Sequence, residues 1–300
     1  MIKKLDELFT VLKAQKSKRL VAAYANDAHT IGAVSQAVDL GIIEATLVGD
    51  KEIIAVVCKQ ENIDINKFEI VHEPEEMQAA RKAVALINEG CGDMLMKGLV
   101  STDKYMRAIL NKENGLIIPG AILSHVTVME NSNYYKLLIL GDVAIIPLPE
   151  LKEKIAITNY LINMAHALGN KLPKVAVLAA TEQVMPKMPA CVDAALISKM
   201  ADRGQITGAL VEGPLALDVA IDKESAEIKK INSPVAGDAD CLVFPNIESG
   251  NIFYKVNTKL AGGEQGAIVV GAKVPAVLSS RGDSIKTKLY SIALAAILAK

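Results

Sequence analysis

At 300 residues and 51% hydrophobic content, the chain is long enough for one large core or, on this composition, two α/β domains. Aromatic residues make up only 4%, with no tryptophan, so Ala, Val, Leu and Ile must build the interior, which suits layers of helices on sheets. A net charge of −1 with both signs interspersed excludes the electrostatic footprint of a nucleic-acid or anionic-membrane binder, so any anion site has to be local.

Cys58, Cys91, Cys191 and Cys241 lie without CxxC or other metal-ligand spacing and read as reduced thiols packed as small apolar residues. The N-terminal MIKKLDELFTVLKAQ mixes charged and apolar residues at helical spacing and lacks the unbroken apolar core of a signal peptide. No run approaches bilayer-spanning length, and a cytoplasmic protein is expected.

Taken in order, the chain repeats helix, short apolar strand, loop, helix. Leu5 to Lys16 reads as a helix, Arg19 to Tyr24 as a strand, Asn26 to Thr30 as a loop and Ile31 to Leu40 as a helix stopped by Gly41. Ala45 to Val48 makes the next strand. This is the cadence of βαβ units and of a mostly parallel sheet covered by helices on both faces. Ligands of such sheets gather at the carboxyl ends of strands, where Asn26, Asp27 and His29 fall, although His29 also reads as an ordinary loop residue. A helix from Pro74 to Asn88 and a strand Met94 to Met96 follow, then Lys97-Gly98 and Ser101-Thr102-Asp103 before another helix. A lysine and glycine at a strand end suit an anion, the first as a point charge and the second by letting backbone come close. The spacing is not that of a P-loop.

Ile117 to Met129 holds a Pro-Gly turn and a strand carrying Ser124, His125 and Thr127, with His125 equally readable as a core histidine. Tyr134 to Ile139 and Gly141 to Ile146 read as two strands joined in a hairpin, a change of organisation taken as the passage into a second domain. Pro147 and Pro149 break the second strand, and Glu150 to Leu168 forms a helix ended by Gly169. The βα rhythm resumes with strand Lys174 to Ala179, helix Ala190 to Arg203, and strand Leu210-Val211 turning at Glu212-Gly213-Pro214. Strand Asp240 to Phe244 follows, with Gly250-Asn251 opening the helix Ile252 to Ala261. No three-glycine nucleotide fingerprint follows any strand.

The stretch VPAVLSSRGDSIKTKL, Val274 to Leu289, reads as a strand opening through a tight turn into a helix. Free N–H groups and the helix dipole then make an anion site, to which Arg281 adds a planar charged fork and Ser280 a short donor. The same Ser-Arg-Gly-Asp-Ser also reads as plain turn chemistry.

Together these passages resemble the phosphate acyltransferases, the family of phosphate acetyltransferase and phosphate butyryltransferase. The resemblance rests on SHVTVM (124–129), GDVAIIPLP (141–149), VEGPLALDVA (211–220), DADCLVFPNIESGNIFYK (238–255) and GAIVVGAKVPAVLSSRGDS (266–284), with MKGLVSTD (96–103) a weaker match. VMPKMPACVDAALI (184–197) looks more like the butyryltransferase branch than the acetyl branch. The resemblance implies attack of the CoA thiol on an acyl phosphate, giving acyl-CoA and inorganic phosphate, and the reverse. It implies Ser280 and Arg281 as catalytic residues, Arg281 holding the phosphoryl group. It further implies Lys97, Gly98, Ser124, His125, Thr127, Gly250 and Asn251 on the substrates, with CoA as substrate and no cofactor or metal.

The acetyl branch carries an aspartate seven residues after the serine, where this chain has Thr287; Asp283 is the nearest carboxylate and is the candidate base, or alternatively a helix N-cap. The family fold implies two α/β/α domains with mostly parallel sheets, like isocitrate and isopropylmalate dehydrogenases, and an active site in the interdomain cleft. The first domain is expected over 1–128 plus 271–300 and the second over 129–270, in a homodimer or larger homo-oligomer. Two other readings stay open, a metal-dependent dehydrogenase of the same fold and an inactive CoA- or acyl-phosphate-binding protein.

Overall fold

The computed structural model describes residues 1–279 and 283–300. In chain order the elements begin α1 (Glu7–Lys13), β1 (Lys18–Ala23), α2 (Ala28–Asp39), β2 (Ile43–Gly49), α3 (Lys51–Gln60), β3 (Phe68–His72), α4 (Glu76–Asn88), β4 (Met94–Lys97) and α5 (Thr102–Ile109). They continue β5 (Ser124–Glu130), β6 (Leu138–Gly141), α6 (Leu151–Ala167), β7 (Lys174–Leu178), α7 (Pro189–Asp202), β8 (Leu210–Leu215), α8 (Leu217–Ile221), α9 (Lys223–Ile228), β9 (Cys241–Val243) and α10 (Ile247–Lys259). The chain closes with β10 (Glu264–Val270), β11 (Ala276–Val277) and α11 (Ile285–Leu298). Two compact units result: a flanking unit of 6–123 with 266–300, and an inserted unit of 124–265 with residues 1–5.

In the flanking unit the strands run in the order β3-β2-β1-β4-β11-β10, parallel from β3 through β11, with β10 antiparallel to β11. Leu20 to Ala23 and Met94 to Lys97 are buried at every position, so both faces of these central strands must be covered. Helix α11 packs on both α1 and α2, and α4 packs on α5. Side-chain caps start several helices: Asp27 accepts from Thr30 N at 2.9 Å, Asp50 from Glu52 N at 2.9 Å and Ser284 from Thr287 N at 3.1 Å. Helix α11 is buried without a break from Lys288 to Ala296, the mark of an interior helix and not a surface one.

The inserted unit has the order β5-β6-β9-β7-β8, with β5 and β6 antiparallel and the rest parallel. Its core joins Leu140, Ala176, Leu178, Leu215, Leu242 and Phe244. No helix among the described residues is long and apolar enough to cross a membrane.

The mixed, mostly parallel α/β class matches the reading of the sequence; three local expectations do not. The hairpin pairs β5 with β6, and residues 142–146 form no strand, because Asp142 turns its carboxylate back on the chain after β6 and bends it there. Strand β8 runs on through Glu212-Gly213-Pro214 to Leu215 without turning there. Helix α10 starts at Ile247, capped by Asn246, so Gly250 and Asn251 lie inside it and do not open it.

Candidate active site

Parallel pairing brings the carboxyl ends of β1, β4 and β11 to one level, with Ala23 opposite Lys97 and Met96 opposite Val277. The helices that follow these strands, α2, α5 and α11, therefore begin at the same edge and turn their positive ends to it. Gly98 is forced by this geometry: a Cβ there would lie 2.5 Å from Tyr24 O and 2.8 Å from Ala23 O. Backbone bonds from Gly98 N to Ala23 O and from Leu99 N to Tyr24 O close the same contact. Lys97 is buried, and its ammonium turns back along the loop onto Gly98 O at 3.1 Å and Val100 O at 2.8 Å.

Ser280 and Arg281, the leading sequence candidates, lie outside the described residues. Their neighbours on both sides are described. Ser279 is buried and accepts from Lys288 Nζ at 2.9 Å. Ser284, not Asp283, caps α11, and Thr287 is drawn into that cap, its Oγ1 3.0 Å from Ser284 Oγ. Burial pushes the Lys288 ammonium pKa down, with Asp283 and Asp27 opposing the shift. At the end of β1, Asn26 Oδ1 accepts from Asp50 N at 3.0 Å, while Asn26 Nδ2 and Asp27 Oδ2 are buried with no hydrogen-bond partner among the described residues. His29 stands exposed on the first turn of α2.

In the inserted unit, Ser124, His125 and Thr127 are all buried on β5. His125 and Thr127 share a strand face, Thr127 Oγ1 sitting 3.3 Å from His125 Nδ1, and the Tyr254 ring meets the imidazole edge-on at 6.5 Å. Asp142 organises the surroundings. Its Oδ2 accepts from Ser124 Oγ and His125 N, both at 2.9 Å, and its Oδ1 from Ala144 N at 2.7 Å and Ile145 N at 2.8 Å. Helix α10 docks against this segment. A Cβ on Gly250 would lie 2.6 Å from Asp142 O, and Asn251 Nδ2 donates to Val143 O at 3.0 Å.

The candidates thus fall into two groups: Lys97, Gly98 and Asp283 on the flanking unit, and Ser124, His125, Thr127, Gly250 and Asn251 on the inserted unit. Reading the sequence missed Asp142 and Lys288. The signal for Asp142 was a Gly-Asp directly after a buried strand; for Lys288 it was a lysine inside an otherwise apolar helix. Among the described residues no group of three or more His, Cys, Asp or Glu side chains is placed to hold a metal ion.

Comparison with known proteins agrees with the geometry. Residues 75–296 match the sequence profile described as phosphate acetyl/butaryl transferase. The chain is similar to the phosphate butyryltransferase of Clostridium acetobutylicum, 48% identical over 299 residues that cover 100% of this chain and 99% of that protein. It is similar as well to the phosphate acetyltransferase of Rhizobium meliloti, at 42% identity over 99% of this chain and 93% of that one. Among solved structures, a branched-chain phosphotransacylase from Enterococcus faecalis V583 superposes with a TM-score of 0.81 at 31% identity, covering 94% of this chain and 100% of that one.

Proposed function

The chain belongs to the phosphate acetyl/butaryl transferase family, and from that premise we propose that it moves a short-chain acyl group, butyryl or a near neighbour, reversibly between CoA and inorganic phosphate. The observation that carries the acyl-chain part is the 48% identity with a phosphate butyryltransferase along essentially the full length of both chains.

In this reading the CoA sulfur attacks the carbonyl carbon of the acyl phosphate, the carbonyl oxygen takes up negative charge, and the bond to the phosphate oxygen then breaks. Three demands follow: a clamp on the phosphate, donors for the oxyanion, and a route for the thiol proton. Arg281 supplies the clamp, its planar fork matching two phosphoryl oxygens, and Ser280 donates to the leaving phosphate or the oxyanion. Lys97 and Gly98 serve the same anion, the lysine as a fixed positive charge and the glycine by letting the chain after β4 pack closely on the end of β1, which holds that lysine's loop in place. Ser124, His125, Thr127, Gly250 and Asn251 are the substrate-binding residues carried on the inserted unit.

Asp283 takes the thiol proton. Ser284 caps α11, so the alternative of Asp283 as that helix's N-cap falls away. Thr287, tied into the cap, cannot act as a base at neutral pH. CoA is a substrate and no further cofactor takes part; the enzyme works in the cytoplasm as a homodimer or larger homo-oligomer.

The test is release of free thiol from a panel of acyl-CoAs with and without inorganic phosphate. Phosphate-dependent release with butyryl-CoA ahead of acetyl-CoA is expected. Release that ignores phosphate would sink the activity, and acetyl-CoA running first would overturn the acyl preference.

A further inference from the structure

The uninterrupted burial of α11 from Lys288 to Ala296 includes three polar side chains, and two of them have plain structural tasks. Tyr290 hydroxyl donates to Asp6 Oδ1 at 2.6 Å, and Ser291 accepts from Ala267 N at 2.9 Å while donating to Thr287 O at 2.8 Å. These bonds tie the helix to the start of α1 and to β10.

Lys288 differs from both in carrying a charge. It is 4% exposed, one turn into a helix where leucine or methionine would pack without the penalty of burying a charge. Its Nζ donates at 2.9 Å to Ser279 Oγ, on a side chain 5% exposed, and Ser279 directly precedes Ser280 and Arg281. The polar ends of Asn26 and Asp27 lie at the same edge of the sheet, two of their atoms buried without partners among the described residues. A cation that costs stability here is retained for what it positions.

We propose that Lys288 is a positioning residue for acyl transfer: its ammonium, bonded to Ser279 Oγ, ties the first turn of α11 to the segment after β11 and holds Ser279, the residue directly before Ser280 and Arg281 in the sequence. The proposal rests on the roles given above to Ser280 and Arg281. Lys288 itself touches no substrate; it acts through Ser279.

The experiment uses the full chain with Lys288→Met, Ser279→Ala, the double variant, Lys288→Arg and Arg281→Ala, each followed by thermal melting and by phosphate-dependent thiol release from butyryl-CoA. Lys288→Met should lower kcat at least tenfold while KM for butyryl-CoA stays within twofold. Ser279→Ala should lower kcat in the same direction, and the double variant should be no slower than Lys288→Met, since both remove one bond. Lys288→Arg should recover part of the rate. A kcat for Lys288→Met within twofold of the parent, or losses that multiply in the double variant, would overturn the proposal. Should Lys288→Met show no cooperative melt, Ser279→Ala decides alone, and an unchanged kcat there counts against it. Full phosphate-dependent activity in Arg281→Ala would instead remove the assignment of the Ser-Arg pair, whatever the Lys288 variants do.

Discussion

Asp142 accepts four hydrogen bonds inside the inserted unit, two on each carboxylate oxygen, and three of the donors are backbone N–H groups. Asp142→Asn keeps the shape but replaces one oxygen by an amide nitrogen, which would face at least one backbone N–H whichever way the amide turns. We expect a loss of about 2–4 kcal/mol of stability, measured by denaturant unfolding, because a buried donor is left without an acceptor. The one signal of Asp142, a Gly-Asp after an apolar run, recurs at Gly49-Asp50 and so does not by itself mark an organising carboxylate. Its partners at Ser124 and His125 stand 18 and 17 residues away, and only the pairing of β5 with β6 brings them together. The end of β4 was legible for the converse reason, that a lysine and glycine after an apolar run announce a strand end by local chemistry alone, with Lys97 itself as the last strand residue.

Elements were readable wherever periodicity and caps agreed. Strand β7 and helices α4, α6 and α7 fall within a residue or two of where apolar spacing and flanking Gly or Pro put them. The reading failed where tertiary contact overrode local grammar. VAIIP looks like a strand, yet Asp142 holds its beginning in a turn. Gly250-Asn251 looks like a helix start, yet the glycine serves a close approach: a Cβ would stand 2.6 Å from Asp142 O, 3.1 Å from Val143 Cγ1 and 3.3 Å from Phe244 Cγ. Backbone cannot yield as a flexible side chain does. Gly250→Ala should therefore cost about 1–3 kcal/mol by pushing α10 off the segment after β6, despite the better helix propensity of alanine. A melting temperature equal to or above that of the parent would contradict it.

At the scale of the molecule, the amino-terminal ends of the strands of the inserted unit are fastened by charge. Lys136 bridges Asp238 and Asp240, each at 2.7 Å, and Asp238 also meets Lys174 and the Tyr135 hydroxyl. Burial pushes the Asp238 carboxyl up, but the bonds from Lys136, Lys174 and Tyr135 outweigh it and hold the pKa at about 2, against an ordinary value of 3.8. A carboxyl depressed in the folded state stabilises above its unfolded pKa and ceases to do so as pH falls through its folded one. The drop in melting temperature should thus fall between about pH 4 and pH 2 for this group, reduced by solvent screening at a side chain one-third exposed. Asp238→Asn should melt lower at pH 7 yet lose less on acidification; equal acid sensitivity in both proteins would show that the cluster contributes nothing.

The way the chain is threaded bears on how it is made. Residues 6–123 leave the ribosome early, but their sheet lacks β10, β11 and the mostly buried helix α11 until residues 266–300 appear. At roughly 5–20 residues per second, the open edge of β4 and the apolar faces of α1 and α2 wait on the order of ten to thirty seconds for cover. The inserted half, nearly continuous in the chain, has no such wait. A chain cut short before residue 266 would therefore have one finished unit and one with apolar surface left open, a natural client for chaperones and proteases.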